Sequence, residues 1–162
     1  MRSLEAMRRE HGELLPHVAA LLDAADAVDL PGRSLFELVD DSWRFLDGHL
    51  MPHARHEEAV LYPALTRVLG SAEAVDLLVL DHRTIAGLVD ELGGYRRQLL
   101  DRDVVEPHVK RELRRVLYSL HSMLQAHFEK EEAVVLPTLE ASLTQQEAER
   151  LLHELSGHHV GT

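Results

Sequence analysis

Two stretches of this chain carry residues that could do chemistry together. The first is His53-Ala54-Arg55-His56-Glu57-Glu58-Ala59-Val60-Leu61-Tyr62-Pro63, and the second runs from His127 through Glu131-Glu132-Ala133-Val134 to Pro137. Both read H-x-x-x-E-E-A-V-x-x-P, and the second follows the first by 74 residues throughout. Upstream of each lies an acid-His pair, Glu10-His11 and Asp81-His82, offset by 71 residues. Imidazoles and carboxylates without thiolate form a ligand set for a metal ion of the iron or manganese type, with zinc as a further option. The chain has 12 His and no Cys. Disulfides, thiolate zinc sites, iron–sulfur clusters and cysteine nucleophiles are therefore excluded.

These residues need helices to position them. On a helix, residues i and i+4 differ by about 40° in azimuth. His53 and Glu57 then share a face, as do His127 and Glu131. Apolar neighbours turn those faces inward: Val60, Leu61 and Leu65 on one helix, and Leu120, Leu124, Val134 and Val135 on the other. His11 shares a stripe with Leu4, Met7, Leu14, Leu15 and Val18, and His82 shares one with Leu78, Ile85, Ala86 and Val89. Four helices thus each direct a His into one interior, and two of them add a carboxylate. Leaving such groups unpaired costs roughly 1–3 kcal/mol each. A metal centre satisfies them together. Four imidazoles and two carboxylates exceed one tetrahedral zinc and suit two ions bridged by the carboxylates. A lone His on an apolar face is ordinarily a packed core residue; the repetition of the whole pattern separates the two readings.

The remaining punctuation is consistent. Periodicity predicts helices over about 2–27, 34–69, 71–101 and 107–142, with a short one over 144–155. Ser34 with Glu37 and Thr144 with Glu147 are candidate capping boxes. Ser71 is a candidate cap, and Gly70 can close the second helix in the left-handed conformation. Pro52 and Pro63 predict kinks or a short break, and Gly93-Gly94 weakens the third helix. No strand pattern occurs. The expected fold is all-α, an antiparallel up-down-up-down four-helix bundle over residues 1–143, followed by a short helix and tail over 144–162.

Composition restricts the partners. With 17 Lys+Arg against 28 Asp+Glu, the formal net charge is −11. That disfavours nucleic acid and anionic membranes. No apolar run is long enough to span a bilayer, and the start has no signal-peptide character, so a cytoplasmic protein is expected.

Taken as a set, these motifs resemble the hemerythrin-like family, the HHE cation-binding domains of bacterial type. The resemblance rests on Glu10-His11, His53-x3-Glu57-Glu58 with Leu61-Tyr62-Pro63, Asp81-His82, and His127-x3-Glu131-Glu132 with Leu136-Pro137. It implies a bundle enclosing two iron ions held by His11, His53, Glu57, His82, His127 and Glu131, with oxo, hydroxo or water ligands completing the shells. Two departures stand out. The oxygen-carrying members have a second His one turn along the third helix, where this chain has Leu78 and Ala86. Their last carboxylate is an Asp five residues after its His, where this chain has Glu131, four after His127. The centre is expected to be more open or differently ligated. Its partners are then expected to be O2, peroxide or NO, in catalase- or peroxidase-like turnover or in sensing. An iron-handling or regulatory module without turnover is the alternative. No protein partner is indicated.

Other residues have secondary expectations. His49, one turn before His53, is a candidate fifth imidazole or an outer donor, although its counterpart in the repeat is Met123. Tyr62 is a candidate phenol at the metal or a core residue. Glu58 and Glu132 project a quarter-turn away and read first as solvated or salt-bridged, second as partners of the ligand histidines. His17, His56, His108, His121, His153, His158 and His159 read as surface residues. A ferritin-like site fails because no Glu has a His three residues later. A zincin fails because Val60 stands where a second His is required.

Overall fold

The protein is described by a computed structural model covering residues 4–100 and 102–157. These residues form five helices and no strand. Helix α1 is Glu5–Asp26. Helix α2 starts at Gly32–Phe45, passes through a π turn at Leu46–Leu50, continues as Met51–His56, passes through a second π turn at Glu57–Leu61 and ends as Tyr62–Leu69. Helix α3 is Glu73–Leu99. Helix α4 runs through Pro107–Lys130, a π turn at Glu131–Val135 and Leu136–Ser142. Helix α5 is Gln145–Gly157. His158 and His159 lie outside the described residues.

The expected punctuation holds in most places. Gly70 closes α2 with φ 68°, the left-handed conformation that glycine adopts at least cost. Ser71 stands one residue before the N-cap of the third helix, which is Ala72, although its hydroxyl accepts the Glu73 amide at 3.2 Å. Thr144 and Glu147 form a reciprocal capping box, at 2.9 and 3.3 Å. Ser34 does not cap α2. That helix begins two residues earlier, at Gly32, behind an extended Pro31 with no side-chain cap. The early start brings the chain against the 102–103 segment, where a Cβ on Gly32 would stand 2.1 Å from the Arg102 carbonyl oxygen.

Proline does not break α2. Each of the three π turns is followed by a Pro at the second residue of the next segment: Pro52, Pro63 and Pro137. Proline lacks the amide that would bond four residues back, and its ring clashes with that carbonyl. Widening the preceding turn absorbs both problems without ending the helix. The extra residue also changes which side chains face inward. In α4 Val135 and Leu136 are buried, whereas Val134 is 61% exposed, contrary to the sequence expectation.

Helices α1, α2, α3 and α4 pack in a ring, α1 on α2 and α4, and α3 on α2 and α4. Their interior holds two apolar clusters. One is built on Val18, Leu35, Leu92, Leu113, Leu117 and Leu120. The other is built on Leu4, Leu61, Leu65, Leu136 and Leu139, with Leu151 and Leu155 of α5 closing it. Between them lies a layer of six buried polar residues: His11, His53, Glu57, His82, His127 and Glu131.

Gly93 has a packing role that propensity alone does not reveal. A Cβ there would stand 2.8 Å from Trp43 Nε1, so the indole of α2 rests directly on the α3 backbone. Arg96 lies over the same indole at 4.7 Å and pairs with the buried Asp40. Gly93→Val is expected to destabilise the fold by about 1–3 kcal/mol through overpacking. Thermal unfolding followed by the fluorescence of the single Trp checks this. An unchanged midpoint would contradict the packing described.

Candidate metal centre

The six residues converge from four helices. Their ligand atoms form two groups, each within 4.8 Å mutually. One comprises His11, His53, Glu57 and Glu131; the other comprises Glu57, His82, His127 and Glu131. Both carboxylates belong to both groups. Glu57 Oε1 lies 3.0 Å from His53 Nε2 and 3.4 Å from His11 Nε2. Its other oxygen, Oε2, lies 3.4 Å from His82 Nε2. Glu131 divides in the same way, with Oε2 3.5 Å from His11 Nε2 and Oε1 3.5 Å from His127 Nε2. Each carboxylate therefore presents one oxygen to each imidazole pair.

Every imidazole points Nε2 inward and rests Nδ1 on a carboxylate. His11 pairs with Glu132 at 2.7 Å, and His82 pairs with Glu58 at 2.8 Å. His53 pairs with Glu10 at 3.1 Å, and His127 pairs with Asp81 at 3.2 Å. Such carboxylates select the tautomer that leaves Nε2 free to ligate and raise its basicity. Glu58 and Glu132 thus take the second of the two roles the sequence allowed. The first role holds beside it, since Glu58 is exposed and Glu132 also pairs with Arg8 at 3.4 Å, yet each crosses to a His on another helix. Glu10 and Asp81 were visible only as neighbours of His11 and His82. Their contacts with His53 and His127 are made between helices, and the exact repeat of the acid-His pair was the only signal for them.

Tyr62 is buried in the layer. Its hydroxyl donates to Glu131 Oε1 at 2.9 Å and lies 3.2 Å from His82 Nε2. Burial, then the charges of Glu131 and Glu57, raise its pKa beyond the range reached in water, so the phenol keeps its proton. The counterpart of Tyr62 in the repeat is Leu136. The phenol therefore stands beside the His82–His127 pair alone, and the two halves of the site differ.

The remaining candidates fall outside the layer. His49 is exposed, belongs to neither ligand group and stacks loosely on Phe45 with ring centroids 6.4 Å apart. It lines a groove of about 830 Å³ that reaches His53 from outside. Of the other histidines, His17, His108 and His153 are exposed, and His56 and His121 are half-buried. A second, far smaller cavity of about 10 Å³ lies inside, against His53, Glu57, His82 and His127. Leu50, Met51, Ala54, Ile85, Leu124 and Phe128 close it.

The electrostatics are those of a site built for cations. Burial opposes charge on His53, but Glu57 and Glu10 outweigh it and push its pKa up to about 10. Burial of His82 is likewise outweighed, by Glu57 and then Glu58, and its pKa is raised. Burial and the charge of His82 lower His127. Although burial alone would raise Glu57, His53 and the other imidazoles hold it well below the usual carboxylate range. Glu131 is pushed up by burial and by the neighbouring Glu57 charge. Two adjacent buried carboxylates cannot both ionise without added positive charge. His53 Nε2, Glu57 Oε2 and Glu131 Oε2 are buried and lack an aligned hydrogen bond. These orphaned atoms all point into the layer, as metal donors would.

The sequence profile of the hemerythrin HHE cation binding domain matches residues 2–98 and again residues 73–160. The chain belongs to the hemerythrin HHE cation-binding family. The second match starts 71 residues after the first, the same offset that separates His11 from His82. No curated protein and no solved structure matches the chain at comparable stringency. Among the described residues of this hemerythrin-like chain, no helix is long and apolar enough to cross a membrane.

Two outcomes are expected from this geometry. Protons on His53, His82 and Glu131 must leave before a metal can bind. Affinity should therefore rise with pH up to about 10, where His53 gives up its proton, and loading at pH 7 should release up to three protons per chain. Calorimetry in buffers of differing ionisation enthalpy measures that release, and a pH-independent affinity would contradict it. The orienting carboxylates give the second outcome. Glu58→Ala or Glu132→Ala should weaken metal binding about 10–100-fold, whereas Glu57→Gln or Glu131→Gln should leave one ion or none. Metal per chain in variants prepared side by side tests this. Full retention by Glu57→Gln and Glu131→Gln would show that the ligand face is wrongly assigned.

Proposed function

We propose that this hemerythrin-like chain holds two iron ions and reacts with or senses O2, peroxide or NO. The observation that carries the reading is the division of Glu57 and Glu131, each with one oxygen toward each imidazole pair, beside a closed cavity. His11 and His53 would hold one ion, and His82 and His127 the other, with both carboxylates shared. Six N/O donors without sulfur suit iron or manganese, with zinc possible, and the family match is the ground for preferring iron. Iron held there would supply redox chemistry and Lewis acidity.

The chain's own residues do the rest. The inner cavity of about 10 Å³ has room for roughly one water-sized centre, which favours diatomic molecules and peroxide over larger substrates. Ile85, Leu124 and Phe128 keep bulk water from that side. Tyr62 holds a proton next to the His82–His127 pair and gives one half of the site a hydrogen-bond donor that the other lacks. The positions one turn either side of His82 are Leu78, which is buried, and Ala86, so neither supplies the further imidazole of the oxygen carriers. Reaction or sensing therefore fits better than reversible carriage. The reading takes α1 to α4 as an antiparallel up-down-up-down bundle within residues 1–143, supported by their short connections and ring of packing, with 144–162 as an appended helix and tail.

Elemental analysis of protein reconstituted anaerobically with ferrous iron should give about two iron atoms per chain, with near-ultraviolet charge-transfer absorption after oxidation. Protein that retains no iron would overturn the proposal. Ile85→Phe intrudes on the cavity from a position that is not itself a ligand. It should keep the iron and slow the reaction with peroxide or NO by about tenfold or more, as expected for a pocket whose access is lost. Unchanged kinetics would place the reacting position elsewhere.

A further inference from the structure

Helix α3 carries a second pattern, unrelated to the metal layer. Asp76, Arg83, Asp90 and Arg97 recur every seven residues, with alternating sign. A seven-residue spacing on a helix keeps side chains on one stripe, drifting only about 20° per repeat. All four are exposed, and none has an ion-pair partner among the described residues. Elsewhere on the same face oppositely charged neighbours do pair, as Arg115 with Glu91 and Lys130 with Asp81 illustrate. Four unpaired charges in regular alternation call for a partner carrying the complementary order.

The row itself supplies that order when reversed. Arg83 and Asp90 are equidistant from a point between Ala86 and Gly87, and so are Asp76 and Arg97. A two-fold axis through that point, with two α3 helices antiparallel, sets Arg83 against the Asp90 of a second copy and Asp76 against its Arg97. An isologous interface has this property by construction. A parallel alignment in register would set like charges together.

The neighbouring row is centred at Gly87, half a residue from that axis. Leu80, Gly87 and Gly94 each stand four residues after a member of the charged row. Leu80 is 55% exposed, and Leu77, one turn earlier, is 66% exposed. Under the two-fold, Leu80 of one copy comes within one residue of Gly94 of the other, a large residue beside a small one. Gly87 falls at the crossing point. A Cβ on Gly87 would meet nothing within 4 Å, so its own chain gives no packing reason for it. Glycine inside a helix costs about 1 kcal/mol relative to Ala, and close approach of a second helix is a use for it. The whole molecule carries a net charge of −11 and repels its own copies, whereas this row is neutral and self-complementary.

We propose that α3 is an interaction surface for a second copy of this chain, forming an antiparallel, two-fold dimer centred at Gly87. Sedimentation equilibrium of the intact protein at low salt tests it. The native chain is expected to be dimeric at micromolar concentration, and to dissociate more readily as salt screens the exposed pairs. Arg83→Asp creates two like-charge contacts per dimer and should raise the dissociation constant about tenfold or more. Adding Asp90→Arg to that variant restores both pairs with signs exchanged and should return the constant toward the native value. Both positions are exposed, so circular dichroism and melting should be unchanged in each variant. A native chain that stays monomeric up to high micromolar concentration overturns the proposal. So does a dimer indifferent to Arg83→Asp, or one that Asp90→Arg fails to rescue.

Discussion

The interior of this bundle is organised around two carboxylates set side by side where neither water nor a fixed cation of the usual kind can reach them. Arg and Lys are absent from the buried layer, and the polar groups against Glu57 and Glu131 are imidazoles and the Tyr62 hydroxyl. Without added positive charge only one carboxylate ionises comfortably, and the imidazoles take up protons in response. Apolar clusters above and below the layer hold the local dielectric low and make that tension large. Metal ions held there would relieve it in one step, replacing mobile protons by fixed charge. Helix placement, the inward Nε2 atoms and the outer carboxylates all serve that exchange.

The repeated proline accounts for much of the local design. In a regular helix Glu57 and Glu58 would diverge by about 100°. Both belong to the π turn that Pro63 imposes, and both reach imidazoles, Glu57 inside the layer and Glu58 at the outer nitrogen of His82. Glu131 and Glu132 repeat this ahead of Pro137. The proline also spares the chain an isolated orphan carbonyl in a dry interior, since the widened turn redistributes the hydrogen bonds.

Much of the fold was legible because its signals are local. Gly70, and Thr144 with Glu147, end and begin helices through their own backbones and near neighbours. The convergence of the six polar residues was legible because the eleven-residue pattern occurs twice, which chance does not supply. Other features depend on three-dimensional neighbours. His49 has the same spacing to His53 that His53 has to Glu57, yet it falls on the rim by Phe45 and outside the layer. Val134 looked inward on a regular helical wheel, and the π turn carried it out. Glu10 and Asp81 make their decisive contacts across helices, where no sequence spacing records them. Gly93 read as a weak point in α3, because the indole that occupies its place comes from α2.

The outer pairs link the two halves of the chain in a particular way. Glu10 and His53 are both in the first half, and Asp81 and His127 are both in the second. His11, however, is steadied by Glu132 and His82 by Glu58, each from the opposite half. The shared carboxylates cross over in the same manner. A single helix hairpin with this pattern would have its ligands but would lack half of their supports, and it would obtain them only from another hairpin of the same kind. Two identical hairpins related by a two-fold axis through the layer would complete the set. The present chain resembles such a pair joined at Gly70, its halves no longer identical, so that a phenol at residue 62 corresponds to a leucine at residue 136.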